Sequence, residues 1–177
     1  MIFTPASSCL LLVDFQSRLM PAIVDARIAV DNAVRLAQSA ILLDIPVLAT
    51  EQNRQGLGET VPELAGLARS RFHKRHFDAT KDALWSGFLP ADRKLIVIAG
   101  CEAHVCVLQT VMGLLELGHA VRLVRDAVGS RSPANKDAGL HRAERYGAEI
   151  VTTEMVIFEW LATCDHPAFR DILKLVR

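Results

Sequence analysis

The chain has 177 residues, of which 51% are hydrophobic and 23% are charged, so it is long and apolar enough to bury a sizeable core. Its 20 Lys and Arg residues are balanced by 20 Asp and Glu residues, which gives a formal net charge of zero. The composition excludes a disordered chain, and the charge balance gives no support for binding to nucleic acid or to an anionic membrane.

Four cysteines stand at spacings that match no zinc-binding signature, and Cys101 and Cys106 are not spaced as a CxxC redox pair. The first residues lack a charged leader ahead of their apolar run, and no apolar stretch reaches the ~18 residues of a membrane span. We therefore expect a cytoplasmic protein with reduced thiols, no signal peptide and no membrane partner.

Apolar runs alternate with helical patterns along the chain. The runs predict strands over residues 9–13, 46–50, 95–99, 120–124 and 149–152. Helical spacing predicts helices over residues 29–43, 61–67, 81–88, 108–117, 132–146, 155–161 and 167–176. This order predicts a single α/β domain over residues 1–177, with three layers and a mostly parallel, doubly wound central sheet.

The stretch Gly100-Cys101-Glu102-Ala103-His104-Val105-Cys106-Val107 joins a predicted central strand to a predicted helix. Cys106 is expected in the first turn of that helix, at the sheet edge where open α/β sheets bind their ligands. Unpaired backbone N–H groups and the helix dipole would favour its thiolate there, which is the nucleophilic form. The alternative is a buried structural thiol.

Two charged residues are candidate partners of this thiol. Asp14 ends the first predicted strand and either acts as a general base at the same edge or caps the following loop. Lys74 lies in the basic segment 69–76, where alternation would place Phe72, Lys74 and His76 on one face. A lysine beside a thiol and a carboxylate would stabilise their charged forms, whereas the alternative is a solvated basic edge.

With these features the chain resembles the isochorismatase-like cysteine hydrolases. The residues that carry the likeness are Asp14 after a buried strand, Lys74 followed by Phe77, and the cysteine motif 100–107 with Thr110. The likeness covers residues 8–163 and continues through the segment 126–131. Residues 50–58 look like the isochorismatase-domain-containing subgroup. The resemblance implies a parallel sheet flanked by helices.

The resemblance also implies roles for single residues. Cys106 would be the nucleophile, Asp14 the general base and Lys74 the supporting cation. A non-proline cis peptide is implied at Cys101-Glu102, where it would aim backbone N–H groups, including that of Cys106, at an oxyanion. The candidate substrate contacts are Phe15, Glu51, Gln52 and Phe77; for Glu51 and Gln52 the alternative is that they tie the loop after the second strand to the sheet edge.

Departures from the family pattern narrow the expected chemistry. Related nicotinamidases carry an Asp and His metal cluster after the second strand, but residues 50–54 hold no histidine, so we expect neither a metal nor a cofactor. The presence of Cys106 favours a small-molecule substrate with an amide-like C–N bond. Asp78 replaces a frequent serine and could alter substrate choice. The resemblance further implies a homo-oligomer.

Two other functions stay open at this point. The chain could be an isochorismatase-fold binding or scaffold protein with little turnover. It could also be a thiol redox protein that uses Cys106 and Cys101, although the spacing of this pair on a strand-to-helix turn makes a disulfide geometrically uncertain.

Overall fold

The computed structural model describes residues 4–176, which form a six-stranded sheet with parallel neighbouring strands. The strands are β1 (Ser8–Val13), β2 (Val47–Gln52), β3 (Ser70–Lys74), β4 (Leu95–Cys101), β5 (Ala120–Gly129) and β6 (Glu149–Val151). Their order across the sheet is β3-β2-β1-β4-β5-β6. The predicted parallel α/β architecture is confirmed.

Helices cover both faces of the sheet. They are α1 (Ala26–Leu42), α2 (Arg54–Leu57), α3 (Pro62–Ala65), α4 (Leu108–Glu116), α5 (Pro133–Tyr146), α6 (Thr153–Leu161) and α7 (Phe169–Val176). Leu10 and Leu12 of β1 are buried in one cluster with α1, α6 and α7, while Leu11 of β1 is buried in a second cluster with α4 and α5. Within residues 4–176, no helix combines the length and apolar character needed to cross a membrane.

The chain reverses its direction of travel across the sheet at β1. It moves from β1 through β2 to the edge strand β3, then returns to place β4 on the other side of β1. Val13 is in register with Thr50 and with Gly100, and Gln52 is in register with Lys74. The carboxyl ends of β1 and β4 therefore flank the crevice where doubly wound sheets bind ligands.

The helix predicted over residues 81–88 is wrong. The structure has two separate 3₁₀ turns there, Ala79–Lys81 and Trp85–Gly87. The Asp82 carboxylate accepts a hydrogen bond from the backbone N–H of His76, and the Trp85 ring packs edge-on against Phe72 at a centroid distance of 5.3 Å. These contacts tie the segment to the preceding loop and to the sheet, so a continuous helix does not form.

Helix α2 has no counterpart among the predicted elements, and β3 is anticipated only by the alternation that places Phe72 and Lys74 on one face. On β3 only Phe72 and Lys74 are buried, and a lysine on the inward face hides the apolar alternation that marks a half-buried strand. Helix α2 is one turn inside the glycine-containing loop after β2. Both elements lie at the edge of the sheet that carries the buried Lys74.

Candidate active site

Asp14 follows β1 directly and lies fully buried at the carboxyl edge of the sheet. Its backbone is in the left-handed region, with φ of 52°, which Asp tolerates better than most residues. The Thr50 hydroxyl donates to Asp14 Oδ1 at 2.6 Å, and Asp14 Oδ2 lies 2.8 Å from Lys74 Nζ. The carboxylate is thus held by one side chain from β2 and one from β3.

Lys74 ends β3 with a side chain that is fully buried, which is tolerated only where the charge is paired and hydrogen-bonded. Besides the ion pair with Asp14, its Nζ donates to Gln52 Oε1 at 2.7 Å. Two longer bonds reach the backbone carbonyls of His76 and Phe77, at 3.3 and 3.4 Å. The ammonium group is therefore fixed against the carboxylate.

Cys106 lies in a π-helical turn, Ala103–Val107, between β4 and α4. The prediction placed it in the first turn of the helix that follows the strand, and the π turn is the local form of that junction; such turns occur often at functional sites. The cis peptide implied by the resemblance is present at Cys101-Glu102. The thiol is 7% exposed and is within hydrogen-bonding reach of both Asp14 and Lys74.

The expectation of a ready-made Cys106 thiolate is wrong. Burial, together with the charge of Asp14, raises the pKa of this thiol from 9.0 to about 12, and the opposing charge of Lys74 does not compensate. Loss of water around the sulfur disfavours the charged form more strongly than the positive charge of Lys74 favours it. At neutral pH the site therefore holds a thiol beside an Asp–Lys pair.

Gly100 allows β4 to pass close to β1 beside the site. Its φ is +152°, and a Cβ built on it would lie 2.3 Å from the carbonyl oxygen of Val13. A residue with a side chain cannot occupy this position without moving one of the two strands. The glycine that opens the cysteine motif thus sets the approach of Cys106 to Asp14.

Thr110, one helical turn after Cys106, connects α4 to the loop beyond Lys74. Its hydroxyl oxygen accepts a hydrogen bond from the backbone N–H of Ala79 at 3.2 Å and lies 3.4 Å from the carbonyl oxygen of Phe77. Phe77 meets the site through this carbonyl, while its side chain is about half exposed. The loop is thereby anchored to the helix that carries Cys106.

Asp78 has a structural part in the same loop. Its carboxylate accepts hydrogen bonds from the backbone N–H and the hydroxyl of Thr80, at 2.9 and 2.7 Å, and caps the turn that follows. A Cβ on Gly113 would lie 2.6 Å from this carboxylate. The predicted effect of a second carboxylate on substrate choice therefore has no support in the contacts of Asp78.

Phe15 and Glu51, two of the expected substrate contacts, make their observed contacts away from the thiol. Phe15 is buried in the core cluster on the α1 face, whereas Cys106 belongs to the opposite cluster. Glu51 alternates with Gln52 along β2 and points away from Lys74. Its Oε1 accepts hydrogen bonds from the Thr60 backbone N–H and hydroxyl, at 2.8 and 2.7 Å.

Gln52, the third expected substrate contact, is also engaged within the protein. Its Oε1 accepts from Lys74, and its Nε2 donates to the carbonyl oxygen of Arg75 at 2.8 Å. Among residues 4–176, no group of three or more His, Cys, Asp or Glu side chains is arranged to hold a metal ion.

Sequence reasoning missed the contact of Thr50 with Asp14 and the contact of Gln52 with Lys74. The signal that could have found them is the alternation along β2, because residues two apart share a face of a strand. Thr50 and Gln52 fall on the same face as the buried Leu48, which packs in the Cys106 cluster.

Comparison with known proteins places this site in a family. The model of the isochorismatase domain matches residues 8–155. The isochorismatase domain-containing protein 2 of Danio rerio is 36% identical over 96% of this chain and 86% of its own length. The structure of the MAR1 ribonuclease from Caenorhabditis elegans is 36% identical, with a TM-score of 0.89 over 99% of this chain and 92% of that one.

A second solved structure extends the likeness. YcaC from Pseudomonas aeruginosa, determined with hexane-2,5-diol and covalent acrylamide, is 26% identical, with a TM-score of 0.90 over 98% of this chain and 91% of that one. The family model spans the strand and loop positions of Asp14, Lys74 and Cys106. The chain belongs to the isochorismatase-like family of hydrolases.

Proposed function

We propose that the protein is a cysteine-dependent hydrolase that cleaves an amide-like C–N bond of a small molecule through a thioester, with Asp14, Lys74 and Cys106 as its triad. The observation that carries the proposal is a buried thiol set against a buried Asp–Lys pair. Asp14 Oδ1 accepts from Thr50 and Oδ2 contacts Lys74, so the carboxylate is fixed within hydrogen-bonding reach of the thiol.

Acylation would begin with proton transfer from Cys106 to Asp14 as Sγ bonds to the substrate carbonyl carbon and the C=O electron pair moves onto oxygen. When the carbonyl re-forms, the C–N bond breaks and the leaving nitrogen takes the proton from Asp14. Lys74 keeps its proton throughout and stabilises the negative charge that passes between the sulfur and the carboxylate. A raised thiol pKa suits this coupled transfer, because the thiolate forms only as the substrate is attacked.

Hydrolysis of the thioester would use the same groups in reverse. Asp14 takes a proton from water as the water oxygen attacks the acyl carbon, the C–S bond breaks, and the sulfur recovers its proton. We propose that backbone N–H groups near the cis peptide Cys101-Glu102 and at Cys106 hold the oxyanion in both steps. Support comes from the Glu102 carboxylate, which accepts the backbone N–H of Arg131 at 2.9 Å and holds this corner in place.

A small molecule fits the surroundings of the site better than RNA, although the similar structure from Caenorhabditis elegans is named a ribonuclease. Three exposed side chains of the basic segment 69–76 are already engaged by neighbours. His73 lies 3.2 Å from Glu51, Arg75 donates to Asn53 at 2.7 Å, and His76 lies 3.2 Å from Asp82. Phosphate binding would have to compete with these contacts.

We also propose that the protein acts as a homo-oligomer in the cytoplasm. On α6 the side chains of Met155 and Phe158 are 47% and 40% exposed, which suits a contact with another copy. The four cysteines are free thiols, which suits a reducing compartment. Light scattering on the purified protein tests the assembly, and a monomer would contradict it.

The function is tested by trapping the acyl-enzyme. The protein is mixed with a panel of small carboxamides and with a single-stranded RNA, quenched in acid, and mapped by mass spectrometry. We expect an acyl adduct on Cys106 that hydroxylamine removes, and no turnover by Cys106→Ala. Turnover that survives Cys106→Ala, cleavage of the RNA alone, or loss of activity on chelation that zinc or manganese restores would each overturn the proposal.

A further inference from the structure

Strand β2 contributes no member of the proposed triad, yet it touches two of its members. Thr50 and Gln52 stand two residues apart on one face of the strand, and both are buried. Thr50 donates to the Asp14 carboxylate at 2.6 Å, and Gln52 accepts from the Lys74 ammonium at 2.7 Å. Strand β2 therefore contacts the Asp14 carboxylate through Thr50 and the Lys74 ammonium through Gln52.

The two contacts fix different features of the ion pair. The Thr50 hydroxyl donates to Oδ1 of Asp14, while Oδ2 lies 2.8 Å from Lys74 Nζ. Gln16 holds the backbone of Gln52 at both its N–H and its carbonyl group. The Gln52 N–H donates to Gln16 Oε1 at 2.8 Å, and Gln16 Nε2 donates to the Gln52 carbonyl oxygen at 3.1 Å. The Gln52 side chain therefore projects from a rigid support.

We propose that Thr50 and Gln52 are positioning residues that hold the Asp14–Lys74 pair in the geometry needed to take the proton of Cys106. This inference rests on the proposed function, because it assigns β2 a role in the same proton transfer. Thr50 favours the charged form of Asp14 by donating a hydrogen bond to it, and Gln52 favours the charged form of Lys74 by accepting one. Neither side chain touches the reacting atoms.

The ionisable groups around Asp14 define what a pH profile of the site reports. Lys74 approaches Asp14 from β3, Cys106 from the π turn, and Cys101, at the end of β4, is close enough for the Asp14 charge to raise its pKa. We attribute an acid limb of the alkylation rate to Asp14, because the proposed proton transfer needs its carboxylate form.

The experiment measures the rate at which iodoacetamide alkylates Cys106, by peptide mapping across the acid and neutral pH range. Removing the hydroxyl in Thr50→Val is expected to move the acid limb to higher pH, since a hydrogen bond donated to a carboxylate favours its charged form. Thr50→Ser, which keeps the hydroxyl, should restore the wild-type limb. Gln52→Met, of similar length, should slow alkylation on the order of tenfold as Lys74 loses its acceptor.

A matched control removes the same kind of hydrogen bond elsewhere. The buried Thr153 donates to Asp126 Oδ1 at 3.0 Å, so Thr153→Val should leave the alkylation profile unchanged. If Thr50→Val does not fold, as judged by circular dichroism, Thr50→Ala takes its place because it adds no buried methyl group. An unshifted acid limb in the folded Thr50 variant, or a shift equal to that of Thr153→Val, overturns the inference.

The Asp14→Asn variant separates this inference from the proposed function. If Asp14→Asn slows alkylation while the Thr50 and Gln52 variants behave as wild type, the triad stands and the positioning role of β2 is wrong. If Asp14→Asn itself alkylates at the wild-type rate, the proposed proton transfer is wrong and the role of β2 falls with it.

Discussion

Two buried carboxylates lie near the ends of adjacent strands, and their surroundings differ. Asp14, after β1, faces the fully buried Lys74 and the thiol of Cys106. Glu51, on β2, faces partly exposed side chains, with His73 55% and Arg54 49% exposed. Asp14 thus interacts with groups that are themselves cut off from water, whereas the partners of Glu51 remain in contact with solvent.

The different surroundings of Asp14 and Glu51 indicate different roles for the two carboxylates. Glu51 satisfies one oxygen with the Thr60 backbone N–H and hydroxyl, and in doing so ties the loop after β2 back to the strand. Asp14 keeps one oxygen beside a group that can give up a proton. We therefore expect Asp14 to govern the reactivity of Cys106 and Glu51 to govern the stability of the loop.

The largest expected effect is on reactivity. Asp14→Asn should lower turnover and the alkylation rate of Cys106 by about 10²–10⁴-fold, the range that a general base contributes. Glu51→Gln removes the charge of the other carboxylate and should leave the alkylation rate unchanged. Iodoacetamide labelling of both variants, with peptide mapping, checks the comparison.

Wild-type labelling gives the reference for that experiment. Cys164 is exposed and Cys106 is buried, so preferential labelling of Cys106 shows that its neighbours and not its exposure decide its rate. Equal rates for Asp14→Asn and Glu51→Gln would remove the distinction between the two carboxylates.

The next effect concerns stability. Lys74→Met leaves the Asp14 charge buried without its cation, which should lower the free energy of unfolding by about 3–5 kcal/mol. Arg54→Met, beside Glu51, should change it by less than about 1 kcal/mol, because that guanidinium is half exposed. Urea denaturation at neutral pH measures both values.

The double variant Asp14→Asn with Lys74→Met sharpens the result. It removes both charges, so it should regain most of the stability lost by Lys74→Met while remaining inactive. A double variant as unstable as the single one would mean that the loss comes from packing of the lysine stem and not from an unpaired charge.

A smaller effect compares the two threonines that hold these carboxylates. Thr60→Val deletes the hydroxyl that donates to Glu51 and should lower the free energy of unfolding by about 1–2 kcal/mol. It should not move the pH profile of Cys106 alkylation. A profile displaced by Thr60→Val as far as by Thr50→Val would show that any loosening of β2 disturbs the site.

The central strands and the position of the cysteine could be predicted because their signals are local. An unbroken apolar run marks β4, and the motif that follows it marks the turn that carries Cys106. The protonation state could not be predicted in the same way. It depends on the burial of the thiol and on Asp14, which is far away in the sequence.

Local patterns reach the contacts of β2 only in part, because alternation groups Thr50 with Gln52 but does not tell which face of the strand meets the site. The register of β2 with β1 and β3 decides whether the side chain of Glu51 or that of Gln52 points to the site. A shift of one residue would exchange the two side chains. The residue types near the site could be recognised from the sequence, but the sequence did not show which of these side chains point toward the site.

Acid titration of the folding stability gives the finest comparison. Burial raises the pKa of Glu51, but hydrogen bonds from Thr60 and the charges of His73 and Arg54 outweigh it, so the pKa lies below its ordinary value of 4.5. As the pH falls, the Glu51 carboxyl binds its proton in the unfolded chain before it does so in the folded protein. The stabilisation of the fold by ionised Glu51 is therefore complete above the pKa of the unfolded chain and is lost as the pH falls through the pKa of the folded protein. Wild type should exceed Glu51→Gln in free energy of unfolding at neutral pH, and this gap should narrow once the pH drops below about 4.5. Urea denaturation of both proteins across the acid range measures the gap, and a gap that stays constant with pH would mean that the charge of Glu51 does not contribute to folding.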